Sequence, residues 1–404
     1  MISHPSSTHG PFVAVAGLSA RMLAQSAARA GLRAVALDVF GDRDTRETSE
    51  LWFDIGGAAL SIDAARLAEA LERSARLPGL IGWVDGSGLE PFVARLCGTP
   101  GLPRFLGNPV EASAAVRDPR RFFALLDELD IAHPRVAFTR PARAQGWLVK
   151  HADGCGGTHV EPLAALVDTQ IPAQAYFQQH SPGRAMSALF VAARGSARVI
   201  GFAQQLTCAM GGLPFVHAGS IGPAELPLAA EVKVRAAIAA LCARVGLAGI
   251  NSCDFLLDGD TVALLEINTR PSSTMALYET ASPDAWPRGL LACHIDACRH
   301  GRLPAEPARA TCCAGQKVLF APHPFAASQS FSDACLRDPH CRDVPMPGTW
   351  IEAGQPVCTL LVRAASADTA RQALDAQHAR VLQRIETCHE PRYEPNRAFI
   401  HCHS

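Results

Sequence analysis

The stretch SCDFLLDGDTVALLEINTR, residues 252–270, restricts the possible folds of this chain more than any other segment. Two apolar runs flank Asp258-Gly259-Asp260, a combination that favours a tight turn between antiparallel strands. Residues two apart share a strand face, so Glu266, Asn268 and Arg270 project together, and Asp254 lies on the partner strand. Glu266 interrupts the apolar series Val262, Ala263, Leu264, Leu265 and Ile267, where an unpaired carboxylate is costly to bury. An ordinary hairpin with solvated acids is the plainer alternative, and the placement of Glu266 weighs against it. Two carboxylates and an amide oxygen suit Mg²⁺, which takes hard oxygen donors, keeps several waters and shares them with nucleotide phosphates. Arg270 adds a planar cation matched to a carboxylate or phosphoryl oxygen.

Two further elements precede the hairpin. Lys150 ends the strand-like WLVK and is followed by the glycine-dense His151-Ala152-Asp153-Gly154-Cys155-Gly156-Gly157-Thr158. A point charge beside backbone N–H groups that can approach closely suits phosphate oxygens. It is not a Walker loop, in which the lysine follows the glycines, and no such motif occurs in the chain. The third element, Tyr176-Phe177-Gln178-Gln179-His180 with Gly183 beyond, reads as an edge-like strand running into a turn. It can present backbone groups to an adenine, although alone it fits any strand.

The N-terminal part opens as β-α-β: FVAVA (12–16), a helical stretch from Gly17 to Ala30, then a strand from Arg33 to Asp38. The turn Gly17-Leu18-Ser19-Ala20-Arg21 lacks the dinucleotide pattern G-x-G-x-x-G, which leaves a substrate role for this region. Gly86, Ser87, Gly88 and Glu90 follow a strand directly, where parallel sheets present ligand loops. A plain strand-to-helix turn explains them equally well. After Gly107-Asn108-Pro109 comes a helix from Pro119 to Leu129, and then strands at 147–150, 175–179, 187–192, 197–206, 252–257 and 261–268, with a helix at 229–245. Beyond Ala308, strands near 317–320 and 357–363 and a helix at 366–385 form a smaller α+β segment. The fold class is α/β plus α+β.

At 404 residues with net charge −1 and mixed charges, the chain is expected to form two or three domains without a nucleic-acid or membrane footprint. MISHPSSTHG carries no leader pattern and no apolar run reaches bilayer length, so a cytoplasmic protein is expected. The 14 cysteines are then free thiols. Two Cys/His groups suggest metal sites only weakly because their spacing is loose: Cys293, His294, Cys298 and His300, and Cys388, His389, His401, Cys402 and His403. The first has the spacing of one helix surface.

Lysine plus glycine loop, hinge strand and D-F…E-x-N-x-R hairpin, in this order, resemble the ATP-grasp superfamily, over roughly residues 113–300. Within it the chain looks most like predicted carboligases related to biotin carboxylase, and like ligases of tetrahydromethanopterin and methanofuran synthesis. Asp343-Val344-Pro345-Met346-Pro347-Gly348-Thr349 and Gly354-Gln355-Pro356-Val357 are similar to the biotin carboxylase C-terminal domain. The resemblance implies a Rossmann-like domain at 1–112, an ATP-grasp core at 113–308 and a C-terminal α+β domain at 309–404. It implies ATP with Mg²⁺, or Mn²⁺ in its place, and allows a homodimer. By the same likeness Lys150 contacts the phosphates and Gly154, Gly156 and Gly157 close over them, Gln178, Gln179 and His180 form the adenine hinge, and Asp254, Glu266 and Asn268 hold the metal. Arg270 stabilises an acyl phosphate, and Gly86, Ser87 and Glu90 contact substrate. Two departures stand out. Val116-Arg117-Asp118-Pro119-Arg120 carries arginines, among them Arg120, where the family usually has a first nucleotide lysine, and Gln179 replaces a common acid. The implied activity joins a small-molecule carboxylate to an amine, such as glutamate and a pterin or furan precursor. Bicarbonate as the acid is an alternative, requiring a separate carrier because no Met-Lys biotinyl site is present, and so is nucleotide binding without ligase chemistry.

Overall fold

The computed structural model describes residues 10–388 apart from 152, 153, 155, 168–170 and 173. Of the second Cys/His group, His389, His401, Cys402 and His403 lie outside the described residues.

The first sheet is parallel, in the order β3-β2-β1-β4, with β1 at Phe12–Ala16, β2 at Arg33–Asp38, β3 at Leu51–Asp54 and β4 at Trp83–Asp85. The residues of β1 are all buried, as a strand covered on both faces requires. Helix α1 (Arg21–Arg29) begins later than the sequence suggests. Asp38, at the end of β2, accepts the Ala20 N–H at 3.0 Å and so holds 17–20 as a loop. Helices α2 (Arg43–Thr48), α3 (Ala64–Ala75) and α4 (Glu90–Leu96) follow. The loops after β1, β2 and β4 gather at one end of the sheet, where Leu18 N–H donates to Ser87 O and Val39 N–H to Leu18 O.

Helix α5 (Val110–Arg117) leads into α6 (Pro119–Glu128). The break between them is set by Asp118, whose carboxylate accepts the Arg121 N–H, and by Pro119, which fits a first helical turn but not a continuing one. A small antiparallel sheet, β5-β8-β6-β7, is built from β5 (Val136–Ala137), β6 (Trp147–His151), β7 (Glu161–Pro162) and β8 (Ala175–Gln179).

The third sheet is the largest, in the order β13-β12-β9-β10-β11-β14-β18-β16. It contains β9 (Arg184–Ala193), β10 (Ser196–Met210), β11 (Leu213–Gly222), then, after α7 (Leu228–Val245), β12 (Gly249–Asp258) and β13 (Thr261–Asn268). Strand β11 has no counterpart among the sequence-based expectations because LPFVHAGSIG does not alternate; it is defined by its pairing with β10 and β14. Helices α8 (Thr274–Ala281) and α9 (Gly289–His300) come next, and then the last segment: β14 (Cys313–Phe320), β15 (Phe325–Ala326), α10 (Gln329–Arg337), β16 (Cys341–Arg342), β17 (Trp350–Ile351), β18 (Pro356–Ala364) and α11 (Ala367–Glu386). Through the pairing of β11 with β14 the segment beyond residue 308 extends the same sheet, while β15 and β17 pair separately.

His294 belongs to this packing. Its Nδ1 accepts the Ile250 N–H at 2.9 Å, which leaves Nε2 protonated to donate to Leu106 O at 2.7 Å. Burial drives its pKa down to about 4, so it is neutral. Both ring nitrogens are thus occupied in joining α9, β12 and the N-terminal region. Among the described residues no group of three His, Cys, Asp or Glu side chains is placed to hold a metal. Replacing His294 by Leu is expected to cost about 2–4 kcal/mol, since two buried backbone groups lose their partner. A thermal melt of the variant beside the wild type, both in chelator, checks that cost.

Candidate nucleotide and metal site

The hairpin forms as the sequence indicates. Strands β12 and β13 pair antiparallel, with Asp254 directly opposite Glu266 and Ser252 opposite Asn268. A bulge between Asp254 and Phe255 shifts the register just past the acids. Asn268 Nδ2 donates to Asp254 Oδ2 at 3.2 Å, and Arg270 Nη2 to Asn268 Oδ1 at 3.4 Å. Strand β9 completes the floor, with Ser187 opposite Asp254.

Lys150 comes from the small sheet. It lies opposite Tyr176, and Leu148 opposite Gln178, so all four side chains share one face. Lys150 is buried, and its Nζ donates to Gln178 Oε1 at 3.3 Å. Burial disfavours its charge, but Tyr176, Glu266 and Asp254 more than compensate and its pKa is raised. This face of the small sheet is therefore set against the acids of the large one. Glu266 answers in kind: burial opposes its ionisation, the charges of Lys150, His159 and Arg117 outweigh it, and the carboxyl is held below the usual range.

Asp254 behaves oppositely. Burial first, and then the facing Glu266, push its carboxyl up to about 7, against hydrogen bonds from Ser187 and Gln205. Two half-buried carboxylates in contact, one resisting ionisation, form a donor set that a divalent cation would relieve, and hard oxygens fit Mg²⁺. Asn268 joins the set if its amide rotates, because its nitrogen now faces Asp254. The sign of the pH effect follows. A carboxyl whose folded pKa is raised weakens the cation-free fold as pH climbs from about 4 through 7, whereas a cation competes with that last proton. Affinity for Mn²⁺, used as a paramagnetic probe, should rise about fivefold from pH 6 to 7 and level off above 8, about tenfold higher than at pH 6. A flat profile would contradict this.

Arg270 reaches across to the N-terminal loops. Its Nε donates to Glu90 Oε1 at 2.5 Å, and both side chains are buried. Glu90 Oε2 accepts the Gly88 N–H at 2.9 Å. Burial would raise the Glu90 pKa, but Arg270 and Arg117 hold it below the ordinary value. Gly86 N–H donates to Ala16 O, and Ser87 O is taken by Leu18, so these two residues tie the β1 and β4 loops together. Asp85, buried beside them, is pushed up to about 7 by burial and by Glu90, and its Oδ1 has no hydrogen-bond partner.

The glycine loop is anchored rather than free-standing. His217 N–H on β11 donates to Gly156 O at 2.8 Å. Gly157 has φ +74°, and a Cβ there would lie 1.9 Å from Phe215 O, so only glycine fits. At the hinge, Gln178 is buried while Gln179 and His180 are exposed. Their backbone N–H groups are occupied, that of Gln179 by Arg135 O and that of His180 by Gly146 O, each at 2.8 Å. His180 also stacks with Phe215 at 6.0 Å, lining an apolar cavity of about 290 Å³ with Trp147, Leu148 and Pro214.

Of the two arginines, Arg120 is exposed and sits over the Phe138 ring at 4.4 Å. Arg117, at the end of α5, is the one whose charge acts on Glu90, Asp85, Glu266 and Tyr176. Sequence reasoning weighs both positions without separating them. It misses Asp85 and Gln205, and it names Tyr176 and Ser187 in and after the hinge segment without giving them a role, although Tyr176 lies two residues from Gln178 on the same strand face.

A lysine-bearing sheet is thus set against an acid-bearing one, with the glycine loop tied to β11 of the larger sheet. Residues 116–274 match the family model of the ATP-grasp domain, and the chain carries that domain. ATP-grasp enzymes are ADP-forming ligases that use ATP and Mg²⁺. The biotin carboxylase domain of 2-oxoglutarate carboxylase from Hydrogenobacter thermophilus, solved as a dimer with MgADP, ADP and bicarbonate, is similar at 13% identity, with 90% of this chain and 88% of that one covered and a TM-score of 0.67. L-amino acid ligase from Bacillus licheniformis is similar at 13% identity, 93% and 98% coverage and TM-score 0.66. N5-carboxyaminoimidazole ribonucleotide synthetase from Thermus thermophilus gives 15%, 95% and 100%, and 0.64. These likenesses establish a shared mixed α/β fold. No curated protein matches the sequence. Among the described residues no helix is long and apolar enough to cross a membrane.

Proposed function

We propose that this chain is an ATP-dependent carboxylate–amine ligase working through an acyl phosphate. The observation that carries the reading is the half-buried Asp254–Glu266 pair, held opposite each other on β12 and β13 with the Lys150 charge turned toward Glu266. Asp254, Glu266 and Asn268 would hold Mg²⁺, which supplies charge neutralisation at the nucleotide's phosphates. Lys150 and Arg117 steady those phosphates, with Arg120 further out, and Gly154, Gly156 and Gly157 form the cover that excludes water. Since the Gln179 and His180 N–H groups are occupied, the hinge would meet adenine through carbonyl oxygens and through the apolar cavity beside His180.

Arg270 orients the acid's carboxylate and stabilises the charge of the acyl phosphate, while Glu90 fixes the guanidinium. Gly86 and Ser87 shape the wall on the N-terminal side. The amine then displaces phosphate, giving the amide. The supporting domain division is 1–112, Rossmann-like; 113–308, ATP-grasp core; and 309–404, a C-terminal α+β segment. Glutamate joined to a pterin or furan cofactor precursor is the finer form of this reading.

The test is ADP release measured over a matrix of acids and amines, followed by product mass. ADP formation that needs both an acid and an amine supports the ligase. ADP formation driven by bicarbonate without an amine selects a carboxylase, a reading favoured by the likeness to a biotin carboxylase domain solved with bicarbonate.

A further inference from the structure

Neighbouring strands of the large sheet carry a row of polar side chains on one face. Asp254 on β12 faces Glu266 on β13 and Ser187 on β9. Ser187 pairs with Ala203 on β10; two residues on, Gln205 faces Ser220 on β11, and Ser220 faces Gln316 on β14. Directly paired residues project to the same side, so the row is continuous from the acids toward the C-terminal segment. Gly219 lets β11 and β14 approach here: a Cβ on it would lie 2.0 Å from Gln316 O. The Ser187 and Gln205 side chains hydrogen-bond to Asp254. At the far end Gln316 Nε2 donates to Ser273 Oγ at 3.0 Å, and Ser273 is exposed.

The same face, a step or two away along the strands, is ordinary core: Leu189, Val191, Ile250 and Ala314. A surface that only had to fill space would continue in that manner. Instead Ser187, Ser220 and Gln316 are 3%, 0% and 4% exposed, and the Ser220 Oγ has no hydrogen-bond partner. A fully buried hydroxyl left unpaired at the middle of a polar row asks for a partner from outside the chain. Beyond Asp254 the row carries no charge, and His217 nearby is kept neutral, its pKa driven down to about 4 by burial and by Arg270.

We propose that Gln205, Ser220 and Gln316 recognise the part of the acid substrate remote from its reacting carboxylate. That part is an uncharged group of the amide or hydroxyl class, carrying both donors and acceptors. Glutamine and serine side chains offer both functions and can answer both. A second carboxylate would enter beside Asp254 in a row whose own side chains supply no cation. The assignment rests on the ligase reading and narrows its substrate class.

The experiment uses hydroxylamine as the amine, so that acyl phosphate is trapped as a hydroxamate and read by its iron(III) colour. Acids are presented in matched pairs to the full-length protein with ATP and Mg²⁺: succinamate against succinate, and 4-hydroxybutyrate against glutarate. The member of each pair with the uncharged remote group should have a kcat/KM at least about tenfold higher. Ser220→Ala and Gln316→Leu should each remove about tenfold of that preference while ATP affinity and melting temperature stay at wild-type values. Preference for the diacids, or unchanged selectivity in both variants, overturns the proposal and leaves the ligase standing. Absence of hydroxamate from every acid overturns both.

Discussion

Glu266→Gln is expected to abolish ADP release, lowering kcat by about 10³-fold or more, while the protein stays folded. The amide keeps the shape of the side chain but removes the charge set against Lys150 and opposite Asp254. Asp254 also loses the neighbour that helps hold its carboxyl near 7, so its pKa should fall toward the ordinary value. The pH dependence of cation binding would then move to lower pH even as activity disappears. ADP formation by the variant at the wild-type rate would remove the ground for the ligase assignment. Measuring nucleotide affinity in the same variant separates loss of chemistry from loss of binding.

Arg270→Ala carries the second large effect, on two readouts at once. The guanidinium is the group placed to meet an acyl phosphate, and its removal should cost about 10²–10³ in kcat. It also leaves Glu90 buried with its main counter-charge gone, which should destabilise the fold by about 3–5 kcal/mol. The double variant Arg270→Ala, Glu90→Gln distinguishes the two roles. Much of the stability should return because neither charge is stranded, whereas activity should not. Recovery of activity in the double variant would mean that Arg270 acts only by holding Glu90 in place.

Much of this site was readable from spacing. The D-G-D turn set the hairpin, and period-two alternation placed Glu266 and Asn268 on one face; the bulge, which no local pattern signals, brings Asp254 opposite Glu266 instead of Leu265, and Arg270 lies past the end of β13. Lys150 ends its strand within one residue of where WLVK suggested, because β-branched and aromatic residues followed by glycines specify both the strand and its end. Helix α1 began late because a single side chain, Asp38, captures the loop before it. Strand β11 has no pattern of its own, and it is a strand because β10 and β14 lie on either side of it.

The sequence by itself determined which elements exist and which chemical groups each one offers, since those depend on contacts within a few residues. Which groups meet was decided by the tertiary structure alone. Lys150 and Glu266 lie on different sheets, Arg270 and Glu90 are joined over a long loop of chain, and Arg117 rather than Arg120 faces the acids only because α5 ends where it does. Burial completes the assignment: the same carboxyl group is held low at Glu266 and pushed high at Asp254 by the company the fold gives it, and no local pattern carries that information.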